Sequence, residues 1–207
     1  MQLNQYTVDA ICRSMGLGGF IERGAFTTLR VLFTPSFHPE MCITLIEQGE
    51  SARLTAISFT EMLWRKPFPC PLPTISEIVS VSAAQCAELA TNFVAAQAEI
   101  PPDVVICDGM PAHCCFATNA NFQQFTSHAH TATQRVFLAR LLDLAWTRCK
   151  RPLLRNAIAN SARYIDIEYL LDTGEDSLPD RRLLVLGTCE AKSEYFDSLE
   201  GAPEAKE

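Results

Sequence analysis

No window of this 207-residue chain approaches the ~20 consecutive apolar residues that a membrane helix needs. The N-terminal MQLNQYTVDAICRSM also lacks a basic region followed by an apolar one. Together these absences predict a cytoplasmic protein with no membrane partner. C-x-x-C is missing too, although nine cysteines stand at 12, 42, 70, 86, 107, 114, 115, 149 and 189. An odd number without paired spacing argues against a disulfide framework and for reduced thiols, many serving as small buried hydrophobes. Gly16, Gly18 and Gly19 are not followed by the lysine and helix of a phosphate loop, so they read as punctuation after a short helix over Gln5–Met15. No cofactor fingerprint occurs anywhere, and none is expected.

An excess of basic charge is likewise absent: 17 Lys and Arg against 24 Asp and Glu give −7. Residues 190–207 hold six acids against two lysines and account for −4 of it, which leaves a mildly acidic body. Nucleic acid is therefore disfavoured as a partner. The domain expected is 1–189, with 190–207 an acidic, mobile tail. One local exception runs from Arg135 to Arg163, where seven basic residues face Asp143 alone. The plain reading of such a run is the solvated side of two helices.

What the chain does have is 48% hydrophobic residues, enough for one sizeable core, and a stretch on which the rest turns, Asp103–Ala117, DVVICDGMPAHCCFA. Asp108-Gly109 between two strand-like runs is a strong hairpin signal, because both residues tolerate positive φ. Residues 27–60 alternate as a three-stranded meander turning at Gln48-Gly49-Glu50-Ser51. Proline at every second position from Pro67 to Pro73 makes an extended strap. Ser82 caps a helix over Ala83–Ala98, and Asn119-Ala120-Asn121 marks a turn before Phe122–Ser127. In Thr131–Cys149, Phe137, Leu138, Leu141, Leu142, Leu144, Ala145 and Cys149 fill one arc, with Trp146 in the polar arc opposite. A further helix is expected over Leu153–Leu171 and a late strand over Arg182–Gly187. Hairpin-length connections, and helices in blocks, give an α+β fold: an antiparallel sheet, meander plus Asp-Gly hairpin, with helices packed on one face.

The order of a segment ending in Phe37-His38-Pro39, a helix, a strand ending in Asp108-Gly109, a histidine-bearing loop and an amphipathic helix resembles small bacterial α+β proteins. Some of these are encoded beside toxins or secretion genes. The resemblance implies an immunity-like role. The chain departs from them after Asp-Gly, where Met110, Pro111, His113 and Cys114 replace an aromatic and a carboxylate.

Two functions from different classes follow. The first is a non-catalytic protein-binding module, an inhibitor or adaptor whose acidic balance suits a basic protein partner. Its partner surface is placed at Trp146 with Arg135, Arg148 and Lys150, since tryptophan outside the leucine arc is of a kind enriched at hot spots. The alternative there is that the following helix folds back over Trp146. The second is a Cys/His enzyme or zinc site within the Cys107–His130 cluster, using His113, Cys115, His128 and His130. On a strand His113 and Cys115 share a face, and imidazoles with a thiolate are ligands that zinc accepts.

Overall fold

The structure, a computed structural model, describes residues 5–21, 26–49, 51–63, 73–100, 108–167 and 169. Its elements run α1 (Gln5–Ser14), β1 (Thr27–Phe33), β2 (Met41–Gln48), β3 (Ser51–Phe59), β4 (Thr74–Val81), α2 (Ala83–Gln97), β5 (Ala112–Ala117), β6 (Phe122–Ser127), α3 (Ala132–Arg148) and α4 (Pro152–Arg163). The six strands form one sheet in the order β4-β3-β2-β1-β5-β6, with every neighbouring pair antiparallel. This is the α+β architecture expected. The meander forms as read, and Gly49, with φ 61°, supplies the left-handed residue at the β2–β3 turn. Thr118–Asn121 closes the β5–β6 hairpin, where the Thr118 amide donates to the Asn121 carbonyl. The upstream arm of the Asp108-Gly109 turn lies outside the described residues. So do the strap over 64–72, the late strand expected at 182–187 and the tail from 190.

β4 was not anticipated. Thr74-Ile75-Ser76-Glu77-Ile78-Val79-Ser80-Val81 carries the alternation of a half-buried strand, directly after the prolines of the expected strap. It pairs with β3 over its whole length, from Phe59↔Thr74 to Ala52↔Val81. The last helix also differs from expectation. It stops at Arg163, well short of Leu171, because Asp166 adopts φ 64° and the Ile167 amide turns back to the Ala162 carbonyl.

β1 lies near the middle of the sheet, and its residues from Thr28 onward are buried on both faces. Leu29, Val31 and Phe33 face the larger core, where α2, α3 and α4 pack. The expected arc of α3 is buried in full, from Phe137 to Cys149. Phe93 of α2 stands at its centre, with Phe116, Phe125 and Phe137 at ring distances of 5.6, 5.3 and 5.8 Å. Capping boxes at Ser82/Gln85 and Thr131/Gln134 begin α2 and α3.

A smaller layer covers the other face. Val8, Ile11 and Cys12 of α1, with Met15 just after it and Phe20 beyond the glycines, pack on Leu32, Cys42, Ile57 and Phe59. A charged side chain sits between α1 and the sheet: Arg30 is 1% exposed. Its Nε donates to Thr44 Oγ1 at 3.0 Å, and its Nη1 donates to the carbonyls of Gly19 and, at 3.3 Å, Phe20. The segment after α1 thus has its buried carbonyls satisfied by the central strand beneath it. The six described cysteines, Cys12, Cys42, Cys86, Cys114, Cys115 and Cys149, are all buried and none forms a disulfide.

Arg30→Met keeps the apolar stem but removes the guanidinium from two buried carbonyls, leaving that of Phe20 only the weak Cys115 thiol as donor. It should destabilise the fold by about 3 kcal/mol, the cost of stranding buried acceptors, read from the urea midpoint. A midpoint equal to the parent's would mean that α1 and its glycine turn are held by packing alone.

Candidate functional site

All four histidines come to one end of the sheet. Phe33 at the end of β1 pairs with Met41 at the start of β2 and with Ala112 at the start of β5, and Ala112 pairs with Ser127 at the end of β6. The loop bearing His38, the second residue of β5 (His113), and the segment bearing His128 and His130 therefore meet there.

His113 is 3% exposed, with Nδ1 3.2 Å from the hydroxyl of Thr126, its cross-strand partner. His128 follows Ser127, the end of β6, and lies near enough to act on the His113 imidazole. His130 places Nδ1 2.7 Å from Ser127 Oγ, which lies 2.6 Å from Gln134 Oε1. The Gln134 amide nitrogen donates to the Ala96 and Glu99 carbonyls, so its Oε1 can only accept. The Ser127 proton is spent on Gln134, and His130 Nδ1 must then donate to Ser127. The hydrogen-bond network thereby assigns the His130 tautomer. In both His113 and His128, Nε2 is buried and has no hydrogen-bond partner among the described residues.

Burial pushes the His113 imidazole down to about 4, and nearby His128 adds to the effect. Burial likewise pushes His130 down to about 4, helped by Arg135 and His128 and opposed by the Met110 carbonyl. His128 is lowered by burial as well. All three are neutral at pH 7. Beside them, Glu99 accepts from the Thr131 and Thr133 hydroxyls, which hold its carboxyl below the usual range.

Sequence reasoning missed Tyr164, which joins the Phe37-His38 segment to the neighbourhood of Asp108. Its hydroxyl accepts from the Phe37 amide at 3.2 Å and contacts His38 Nδ1 at 3.1 Å. Burial, opposed by the Phe37 amide and aided by nearby Asp108, pushes the Tyr164 phenol up to about 12. The Ser36 amide and hydroxyl donate to the Gly109 carbonyl at 3.0 and 2.9 Å. Ser127 and Gln134 were also missed, since neither type is marked as buried by periodicity alone.

The expected ligand set is assembled only in part. His128 lies near both His113 and His130, whereas the Cys115 thiol turns to the Phe20 carbonyl, 3.3 Å away under the α1 layer. Among the described residues no group of three or more His, Cys, Asp or Glu side chains is disposed to hold a metal ion.

The residues assigned to a partner surface are engaged within the chain. Trp146 is half-buried; Tyr169 stacks on it at 4.7 Å and 9°, and the Arg155 guanidinium lies 4.0 Å over the ring. The fold-back alternative describes this arrangement. Arg135 pairs with Asp166 at 2.9 Å and donates to the His130 carbonyl at 3.3 Å. Arg148 reaches Gln85 Oε1 at 3.4 Å, and Lys150 Nζ reaches the Thr147 carbonyl at 3.1 Å.

A second feature lies along β4, one of the two outer strands. Ile75 and Val79 pack on the core, while Thr74, Ser76, Ile78 and Ser80 face outward, Ile78 being 65% exposed. Its one charged residue, Glu77, accepts the Lys150 amide at 2.9 Å and the Arg151 amide at 3.0 Å. α4 has no side-chain cap of its own, so this carboxylate serves its N-terminus from the sheet.

Trp146→Ala removes the stack and the cation–π contact and should cost roughly 1–3 kcal/mol, seen as a drop of several degrees in Tm. A Tm unchanged from the parent's would return Trp146 to the list of interface candidates. A pH series tests the histidines. Their folded pKa values lie below the ordinary 6.5, so the unfolded chain takes up protons first. Stability should be full above pH 6.5 and fall as pH drops towards 4, by as much as about 3 kcal/mol per histidine. His130→Gln should flatten that slope in urea titrations, and an unchanged slope would show that His130 does not contribute.

No family model matches the chain, and no curated protein or solved structure does.

Proposed function

We propose that the chain is a protein-binding module that takes an extended segment of a partner protein along β4. The observation that carries this reading is the character of that strand. Outer strands are commonly protected by lysine, proline, bulges or short length. β4 runs eight residues in unbroken register with β3, contains no lysine or proline, and exposes Ile78. Glu77 is its one charge, and that carboxylate is spent on the start of α4. Strand addition draws affinity from main-chain hydrogen bonds and selectivity from alternate side chains. The fitting partner is therefore a β-branched, alternating segment, and a net charge of −7 favours basic flanks. An inhibitor or adaptor could work through such an edge, and the interface moves from Trp146 to β4.

Selection from a displayed random-peptide library tests the reading. Peptides of alternating β-branched residues should be enriched, should protect amides of residues 74–81 from exchange, and should bind Ile78→Lys at least tenfold more weakly. Because Ile78 faces solvent, the variant should melt within about 0.5 kcal/mol of the parent. Peptides that protect other residues, or bind the variant equally, would overturn it. So would concentration-dependent dimerisation lost in Ile78→Lys, which would assign the edge to a second copy of the chain.

A further inference from the structure

We propose that His113 and His128 form a two-imidazole site for a first-row transition-metal ion of the zinc and nickel class. Buried polar atoms are nearly always paired, and one left unpaired calls for a water, an ion or a functional role to account for it. Here the atoms concerned are Nε2 of neighbouring histidines, both buried and unpartnered among the described residues. The fold brings the two near each other: His113 stands opposite Thr126, and His128 follows directly on Ser127, the last paired residue of β6, close enough for its charge to act on His113. The His113 Nδ1 is anchored by the Thr126 hydroxyl, the kind of outer contact that orients a ligating imidazole and leaves Nε2 for the ion. Each ring is neutral at pH 7, so a lone pair is available without the loss of a proton.

Two protein ligands leave the remaining coordination positions to water or to an oxygen donor of a bound molecule. Binding is therefore weaker than at a closed four-ligand site. Cys115 is not a ligand, since its thiol points to the Phe20 carbonyl. The site is at the strand ends and β4 is at the sheet edge, so neither proposal depends on the other.

The test is titration of the tag-free full chain with zinc chloride and nickel chloride, followed by calorimetry and by Tm. One equivalent should bind and raise Tm. His128→Gln, at a half-buried position, should fold and lose the binding, and His113→Gln should weaken it at least tenfold. Cys115→Ala should bind as the parent does. No stoichiometric binding by the parent would mean that water occupies these atoms and would overturn the proposal. Equal binding by His128→Gln, or loss of binding in Cys115→Ala, would overturn it as well.

Discussion

The burial of β1 on both faces is the constraint from which the other layers follow. A strand in the middle of an antiparallel sheet can leave one side to water, but here Leu29, Val31 and Phe33 point one way and Arg30 and Leu32 the other, and none is exposed. Each face therefore needs its own cover. The larger core recruits α2, α3 and α4, and burying each of its leucines contributes roughly 1.5–3 kcal/mol. The smaller layer is α1 with the residues after it. That layer brings main-chain carbonyls under cover, where an unpaired acceptor is costly, and the Arg30 guanidinium meets them. A charge in the middle of a sheet is tolerable because it serves several acceptors at once.

The polar groups at the histidine end work as one network. Ser127 bonds both His130 and Gln134, and Gln134 continues to the end of α2 through the Ala96 and Glu99 carbonyls. In a medium of low dielectric such a chain is stiff when satisfied and costly when broken. It positions the first turn of α3 against the end of β6. Asp166 adds a second tie, since its carboxylate holds Arg135, which in turn donates to the His130 carbonyl. A left-handed conformation is tolerated better by aspartate than by most residues, and here it sets that carboxylate in place.

The edge and the end of the sheet are built differently, and the difference bears on what each can do. β4 is half solvated and regular, anchored through Glu77 to the start of α4, so it offers a rigid main-chain template. The histidine end is irregular and buried, with its imidazoles kept neutral by desolvation. A template suits an extended chain, and neutral imidazoles suit an electrophilic ion.

Periodicity by itself determined the meander, α2, α3 and the antiparallel α+β class, because strand and helix patterns are local and each apolar residue votes with its neighbours. Ser82 and Thr131 were legible as starts of helices for the same reason: the cap and its partner are three residues apart. The alternation of β4 was present too, but proline-rich sequence beside it masked the signal. The tertiary structure alone decided that α1 covers the second face, that Tyr164 joins His38 to the neighbourhood of Asp108, and that Trp146 is spent on Tyr169 and Arg155. It also decided that His128 lies near enough to His113 to act on its charge, while Cys115 turns away to Phe20. These contacts join residues far apart in the chain, and nothing local in either partner encodes the other, so they exist only once packing has set the distance between them.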